Sequence, residues 1–211
     1  MEAPHSPAPD DVAAAPADSP VPPATPASPD APEARDARDA SVTASVTLTL
    51  TIGSPERMTE LGLRLAALLR PGDLVMLTGE LGAGKTTLTR GLGEGLGVRG
   101  AVTSPTFVIA RVHPSLTDGP ALVHVDAYRL GGGLDEMEDL DLDVSLPDSV
   151  VVVEWGDGKV EDLSDDRLHV VIDRVVGGTD PAPAEEDDRR TVTLTGLGAR
   201  WADAGLASLA P

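Results

Sequence analysis

The stretch Gly79-Glu80-Leu81-Gly82-Ala83-Gly84-Lys85-Thr86 has the spacing G-x-x-x-x-G-K-[ST], and a second threonine, Thr87, follows it. Such a loop suits phosphate. Glycines allow backbone conformations that a Cβ forbids, so successive N–H groups can turn inward and form an anion-binding nest. A helix starting there adds the positive end of its dipole. Lys85 supplies a point charge for the outer phosphates, and the Thr86 hydroxyl suits Mg2+, a hard cation that takes oxygen ligands. The chain has only two lysines, Lys85 and Lys159, against fourteen arginines. One of the two stands where a forked guanidinium would be too bulky.

Two acids complete the chemistry. Asp126 ends the apolar run "ALVHVD" and Glu154 ends "SVVVVE". Beside a phosphate cradle, one acid can hold a metal or its water while the other orients an attacking water. Taken alone, each is equally readable as a solvated loop charge; their paired placement at strand ends favours function. His124 lies two residues before Asp126, on the same side of the strand, as a metal partner or a hydrogen-bonded core histidine. Trp155 either covers a nucleotide or packs, and Tyr128 and Arg129 either support Asp126 or meet a partner. "TSPTF" (103–107) reads as a hydroxyl-bearing loop near the outer phosphate or as an ordinary Ser-Pro turn. The acidic run at 135–143 reads as a solvated face.

These groups must be positioned by strands and helices. "DLVMLT" before the loop is an apolar run of strand length, and Leu88, Leu92 and Leu96 after it recur every four residues, as on a helix. That helix carries Gly91, Gly93, Gly95 and Gly97, each costing about 1 kcal/mol against alanine if interior, so an end near Gly95 is expected. The runs 74–78, 121–125 and 150–153 are predominantly apolar and rich in valine and leucine, the mark of strands buried on both faces. If they run parallel, the loop, Asp126 and Glu154 share one carboxyl edge, where open α/β sheets bind ligands. Upstream, 41–53 alternates as a strand. Ser54, Pro55 and Glu56 then start a helix with the stripe Met58, Leu61, Leu65 and Leu68, and Pro71-Gly72 stops it. Further strands are expected at 106–112, 167–175 and 189–197, the last two antiparallel. A short acidic helix is expected at 134–142, a polar loop at 177–188 and a short amphipathic segment at 201–209.

Composition narrows the classes. The chain has 211 residues and a net charge of −19, with no cysteine, asparagine or glutamine. Disulfides, thiolate metal sites and cysteine nucleophiles are excluded. So are the Asn-Lys-x-Asp guanine reader and a water-positioning glutamine. No basic footprint for direct nucleic-acid binding is visible, no apolar run reaches membrane-spanning length, and the N-terminus lacks a signal pattern. A cytoplasmic address is expected. Residues 1–40 hold ten of the nineteen prolines and eight acids against two arginines. Such a segment buries too little apolar surface to offset its ordering entropy, and reads as a disordered acidic tail. The expected organisation is this tail, a nucleotide-binding domain over 41–200, and a C-terminal short helix or tail over 201–211.

Several separated pieces, "GELGAGKTTLTRGLGEGLG", "VTSPTF", "HVDAYRL" and "VVVVEWGD", resemble the bacterial TsaE family in order and spacing. The likeness spans about residues 47–200. It implies a small P-loop ATPase of tRNA modification that binds ATP and Mg2+. Such proteins work with TsaD and TsaB to make threonylcarbamoyladenosine in tRNA. TsaD performs the transfer, and TsaE hydrolysis resets the complex. Carried over by position, the resemblance assigns Glu80, Leu81, Gly82, Ala83, Gly84, Lys85, Thr86 and Thr87 to the nucleotide, and Thr86 and Glu154 to Mg2+. Asp126, with Glu154 and Lys85, would support hydrolysis. Ser104 to Phe107 would form a switch-like loop, and Ser54-Pro55 would lie near the base. The acidic chain would meet tRNA only through its partner proteins. The expected fold class is α/β, a three-layer P-loop NTPase fold with a mixed, mainly parallel central sheet and antiparallel C-terminal strands. Two rivals share the loop: a small-molecule kinase, which needs an acceptor and an arginine-bearing lid, and a non-hydrolysing ATP-dependent binding module.

Overall fold

A computed structural model describes residues 45–105, 109–129, 140–174 and 189–211. All of them belong to one compact unit, Ser41–Pro211. Its centre is a seven-stranded sheet of order β1-β7-β6-β2-β5-β4-β3. The strands are β1 (Ser45–Ile52), β2 (Leu74–Thr78), β3 (Ala110–His113), β4 (Ala121–Asp126), β5 (Ser149–Glu154), β6 (Arg167–Arg174) and β7 (Arg190–Leu197).

The sheet is mixed. β6, β2, β5 and β4 run parallel in its middle. β1, β7 and β3 are joined by antiparallel ladders, so the six ladders divide evenly between the two kinds. As expected, the sheet is mixed with antiparallel C-terminal strands, and its parallel part is β6, β2, β5 and β4. β2 and β5 have the composition this position requires: Leu74 to Leu77 and Val150 to Val153 are all buried. β1 and β7 instead alternate, with threonines on one face and Leu50, Val192 and Leu194 in the core.

Among the described residues, two long helices cover one face. α1 (Pro55–Ala66) starts as expected: Ser54 is extended, its hydroxyl accepts the Arg57 amide, and Pro55 takes the first turn. Met58, Leu61 and Leu65 are buried against the sheet. α2 (Lys85–Gly95) ends where its glycines suggested. Those glycines have a packing role. A Cβ on Gly91 would stand 2.1 Å from the Thr59 carbonyl oxygen, and one on Gly62 would stand 2.4 Å from that of Leu88. The two helix backbones touch directly there.

The other face has a smaller core of Met76, Val123, Val125, Val151 and Val153. Among the described residues it is covered by α3 (Leu142–Ser145) and short 3-10 turns (Ala127–Arg129, Leu146–Asp148, Glu161–Leu163), not by long helices. The C-terminal segment forms α4 (Ala199–Ala202) and a 3-10 turn (Leu206–Leu209), and it buries Trp201, Leu206 and Leu209 in the first core. Arg200 on α4 forms a two-pronged ion pair with buried Asp73, which precedes β2.

Two sequence expectations differ from the structure. The strand expected over 106–112 begins only at Ala110, because Ile109 has left-handed backbone (φ 54°), which breaks the extended run; Thr106 to Val108 lie outside the described residues. The acidic helix expected over 134–142 falls mostly outside them too, and the helix present there starts at Leu142. Residues 1–40 and the loop 177–188 also lie outside the described residues.

Candidate nucleotide and metal site

Parallel pairing brings the ends of β2, β4 and β5 to one edge of the sheet. Asp126 is register partner to Glu154, and Glu154 is partner to Leu77, just before the loop. Between β2 and α2 the loop turns through Gly84, whose φ of 116° is unfavourable for a side-chain-bearing residue. The result is an open cleft of about 590 Å3. Leu81, Gly82, Gly84, Lys85, Thr86 and Thr87 line one side of it. Asp126, Glu154, Ser104, Tyr128 and Trp155 line the rest.

Three side chains meet on one oxygen. Thr86 Oγ1 donates to Glu154 Oε1 at 2.9 Å, and His124 Nε2 lies 2.9 Å from the same Oε1. The carboxylate thus joins the first turn of α2 to β4. Glu154 and His124 are both buried. Asp126 is buried as well; its Oδ1 accepts the Tyr128 amide, and its own amide donates to the Ile109 carbonyl. The chain before β3 is therefore tied to the acid at the end of β4.

Lys85 is only 4% exposed. Its ammonium donates to the Gly79 and Glu80 carbonyls and stands 3.9 Å from the centre of the Trp155 ring. Burial lowers its pKa, and the negative charges of Glu154 and Asp126 oppose that shift. Trp155 reaches this position from left-handed backbone (φ 61°), and its ring also leans on Tyr128, 5.3 Å between centres. Both alternatives for Trp155 thus involve the cleft: it packs, and it packs over the phosphate-loop lysine.

The remaining predicted residues separate. Glu80 presents its backbone carbonyl to Lys85 while its side chain is exposed. Leu81 is 89% exposed at the cleft mouth. Ala83 is buried away from the cleft and contributes to a smaller pocket of about 90 Å3. That pocket shares Gly82, Gly84 and Thr87 with the cleft and is completed by Ser54, Pro55, Met58 and Arg190. Of the switch-like segment, Ser104 lines the cleft, whereas Thr106 and Phe107 lie outside the described residues. Two participants carried no motif. Arg190 begins β7 and donates from Nε to the Ala83 carbonyl. Lys159 donates to the Ala127 carbonyl, tying the chain after β5 to the chain after β4. Its only sequence signal was the scarcity of lysine.

The donor set is one of hard oxygens: a threonine hydroxyl and two carboxylates. Among the described residues no group of three or more His, Cys, Asp or Glu is arranged to hold a metal ion by itself. A cation bound here would draw most of its ligands from phosphate and water, as Mg2+ does in phosphate sites. The residues present fit such an ion.

The family model for "Threonylcarbamoyl adenosine biosynthesis protein TsaE" matches residues 52–178. The chain belongs to the TsaE family. It is 76% identical over 153 residues to the tRNA threonylcarbamoyladenosine biosynthesis protein TsaE of Streptomyces coelicolor, covering 72% of this chain and 99% of that one. The Bacillus subtilis TsaE is 40% identical over 150 residues, covering 70% and 85%. Among solved structures, Bacillus subtilis YdiB is similar with a TM-score of 0.58 and 34% identity, over 79% of this chain and 95% of that one. The TsaE match covers the phosphate loop, both acids, His124 and Trp155, and stops before Arg190.

Proposed function

We propose that this chain is the Mg2+-dependent, ATP-hydrolysing subunit of tRNA threonylcarbamoyladenosine biosynthesis, built on a P-loop NTPase fold. It acts on the TsaD–TsaB complex and does not catalyse the transfer itself. Membership of the TsaE family supports the pathway. The contact of Thr86 with Glu154 beside Lys85 is the observation that carries the nucleotide reading. It puts a hydroxyl, a carboxylate and an ammonium around one cleft.

The amides of residues 81–87 and the Lys85 ammonium bind the outer phosphates. Thr86 and Glu154 would hold the metal, which when bound would neutralise phosphate charge. Hydrolysis forms a bond from water oxygen to the terminal phosphorus and breaks the bond to the ADP oxygen, and a buried carboxylate accepts the water proton. We assign that role to Asp126; in support, its Oδ1 accepts the Tyr128 amide, which orients the carboxylate at the cleft. The small pocket at Ser54-Pro55 and Arg190 takes the base side of the nucleotide. tRNA is met only through the partner proteins, in the cytoplasm. No described helix is long and apolar enough to cross a membrane.

The test is ATP hydrolysis by the purified protein, alone and with TsaD, TsaB and tRNA, for wild type and Glu154→Ala. Weak hydrolysis that rises with the complex, and falls at least about a hundredfold in the variant, is expected. Hydrolysis indifferent to both the complex and the variant would refute the reading. Turnover that appears only with an added small acceptor would mark a kinase.

A further inference from the structure

His124 sits in the middle of β4, between register partners Arg111 on β3 and Val152 on β5, and is fully buried. A carboxylate only accepts, so the 2.9 Å contact with Glu154 Oε1 requires Nε2 to carry the hydrogen. The Thr86 hydroxyl donates to the same oxygen. Two donors from two elements, α2 and β4, therefore fix one carboxylate oxygen and stop rotation of the group. The second oxygen remains for a further ligand. His124 Nδ1 is buried with no protein partner among the described residues. The ring's hydrogen bonding on the protein side is thus directed at Glu154, and a buried polar side chain is held in the core for that one contact.

We propose that His124 is a positioning residue for the metal-bearing carboxylate: its Nε2–H sets the orientation in which Glu154 receives the Mg2+ of a bound nucleotide. The inference rests on the Mg-ATP reading of the cleft. It separates His124 from Asp126, its neighbour two residues on, which faces the cleft itself. Outer-shell partners that orient a ligand carry a characteristic loss of about 10–100-fold in metal affinity when removed.

The experiment measures binding, not turnover. A fluorescent ATP analogue is titrated into the full-length protein in EDTA and at rising Mg2+, for wild type, His124→Leu and His124→Gln. Melting temperatures are recorded alongside. Glutamine places an N–H donor near the Nε2 position, and leucine removes it. The expected result is that His124→Leu needs at least about tenfold more Mg2+ for the same nucleotide affinity. Its affinity in EDTA stays within about twofold of wild type, and His124→Gln recovers most of the Mg2+ response. An unchanged Mg2+ requirement in a folded leucine variant would overturn the proposal. So would equal losses with and without Mg2+, or a glutamine variant no better than leucine. If the leucine variant does not fold, His124→Asn, whose donor is too short to reach Glu154, replaces it and must show the same Mg2+-specific loss. Wild-type protein whose nucleotide binding ignores Mg2+ would instead sink the Mg-ATP reading on which the proposal stands.

Discussion

Lys85 and Trp155 are the residues most exposed to change when an anion arrives. The ammonium now satisfies two loop carbonyls and faces the indole ring, and a polyphosphate would compete for the same charge. The surroundings of Trp155 must alter with it. Trp201, the only other tryptophan, is on α4 and buried in the core. Adding Mg-ATP should therefore change the tryptophan emission of wild type and of Trp155-retaining Trp201→Phe, while Trp155→Phe should show no change. A second residue carries a pH signature. His113 is buried on β3, and burial lowers its pKa below the usual 6.5; His124 and Arg111 nearby act in the same direction, and the Arg99 carbonyl opposes them. Because the unfolded imidazole binds its proton first, stability from this group is complete above 6.5. It is lost as the pH falls from there towards the lowered folded value. Denaturation midpoints followed between about pH 5 and 8 should show this acid slope, and His113→Leu should flatten it.

At the level of elements, the crossing of α1 and α2 governs how firmly the phosphate loop is held, since α2 begins with Lys85 and Thr86. Backbone atoms of Thr59 and Leu88 occupy the space that side chains at Gly91 and Gly62 would need. Gly91→Ala would gain about 1 kcal/mol of helix propensity, but the helices would have to separate, at about 1–3 kcal/mol. A lower melting temperature and weaker nucleotide binding are expected together, read by thermal melts and the same fluorescent titration. From the sequence Gly91 looked like a weak point in a helix, because propensity is local and the neighbouring backbone is not in the pattern. The strand ends were legible for the opposite reason: valine-rich apolar runs advertise strands buried on both faces, so Asp126 and Glu154 share one edge once the strands pair in parallel. The start of β3 was not legible, because "FVIARV" has the composition of a strand, whereas the left-handed Ile109, whose carbonyl accepts the Asp126 amide across the fold, marks where extension begins. Arg190 was hidden in the same way; its partner Ala83 is 107 residues away.

For the molecule as a whole, one buried ion pair joins distant parts of the chain. Arg200 reaches Asp73 through two nitrogens and also caps the Leu68 carbonyl at the end of the α1 region. Removing one member of a buried pair strands the other charge, at about 3–5 kcal/mol. Arg200→Ala should lower stability by that order in chemical denaturation, and Arg200→Lys should recover little, since an ammonium cannot span both carboxylate oxygens. The exposed pair Arg57–Glu60 should contribute no more than about 1 kcal/mol.

The order of the sheet also has a bearing on synthesis. The first described strand, β1, has a single neighbour, and that neighbour is the last, β7: Ser45 pairs with Leu197 and Ile52 with Arg190. While the chain emerges from the ribosome, the phosphate loop, both acids and the parallel strands β2, β4 and β5 are complete before β1 has any partner. The nascent chain must carry β1, threonine-lined and without its β7 partner, until β7 is translated. A stop codon shortly before Arg190 would thus remove no predicted phosphate- or metal-binding residue, yet leave the sheet open at β6 and β1 without a place in it.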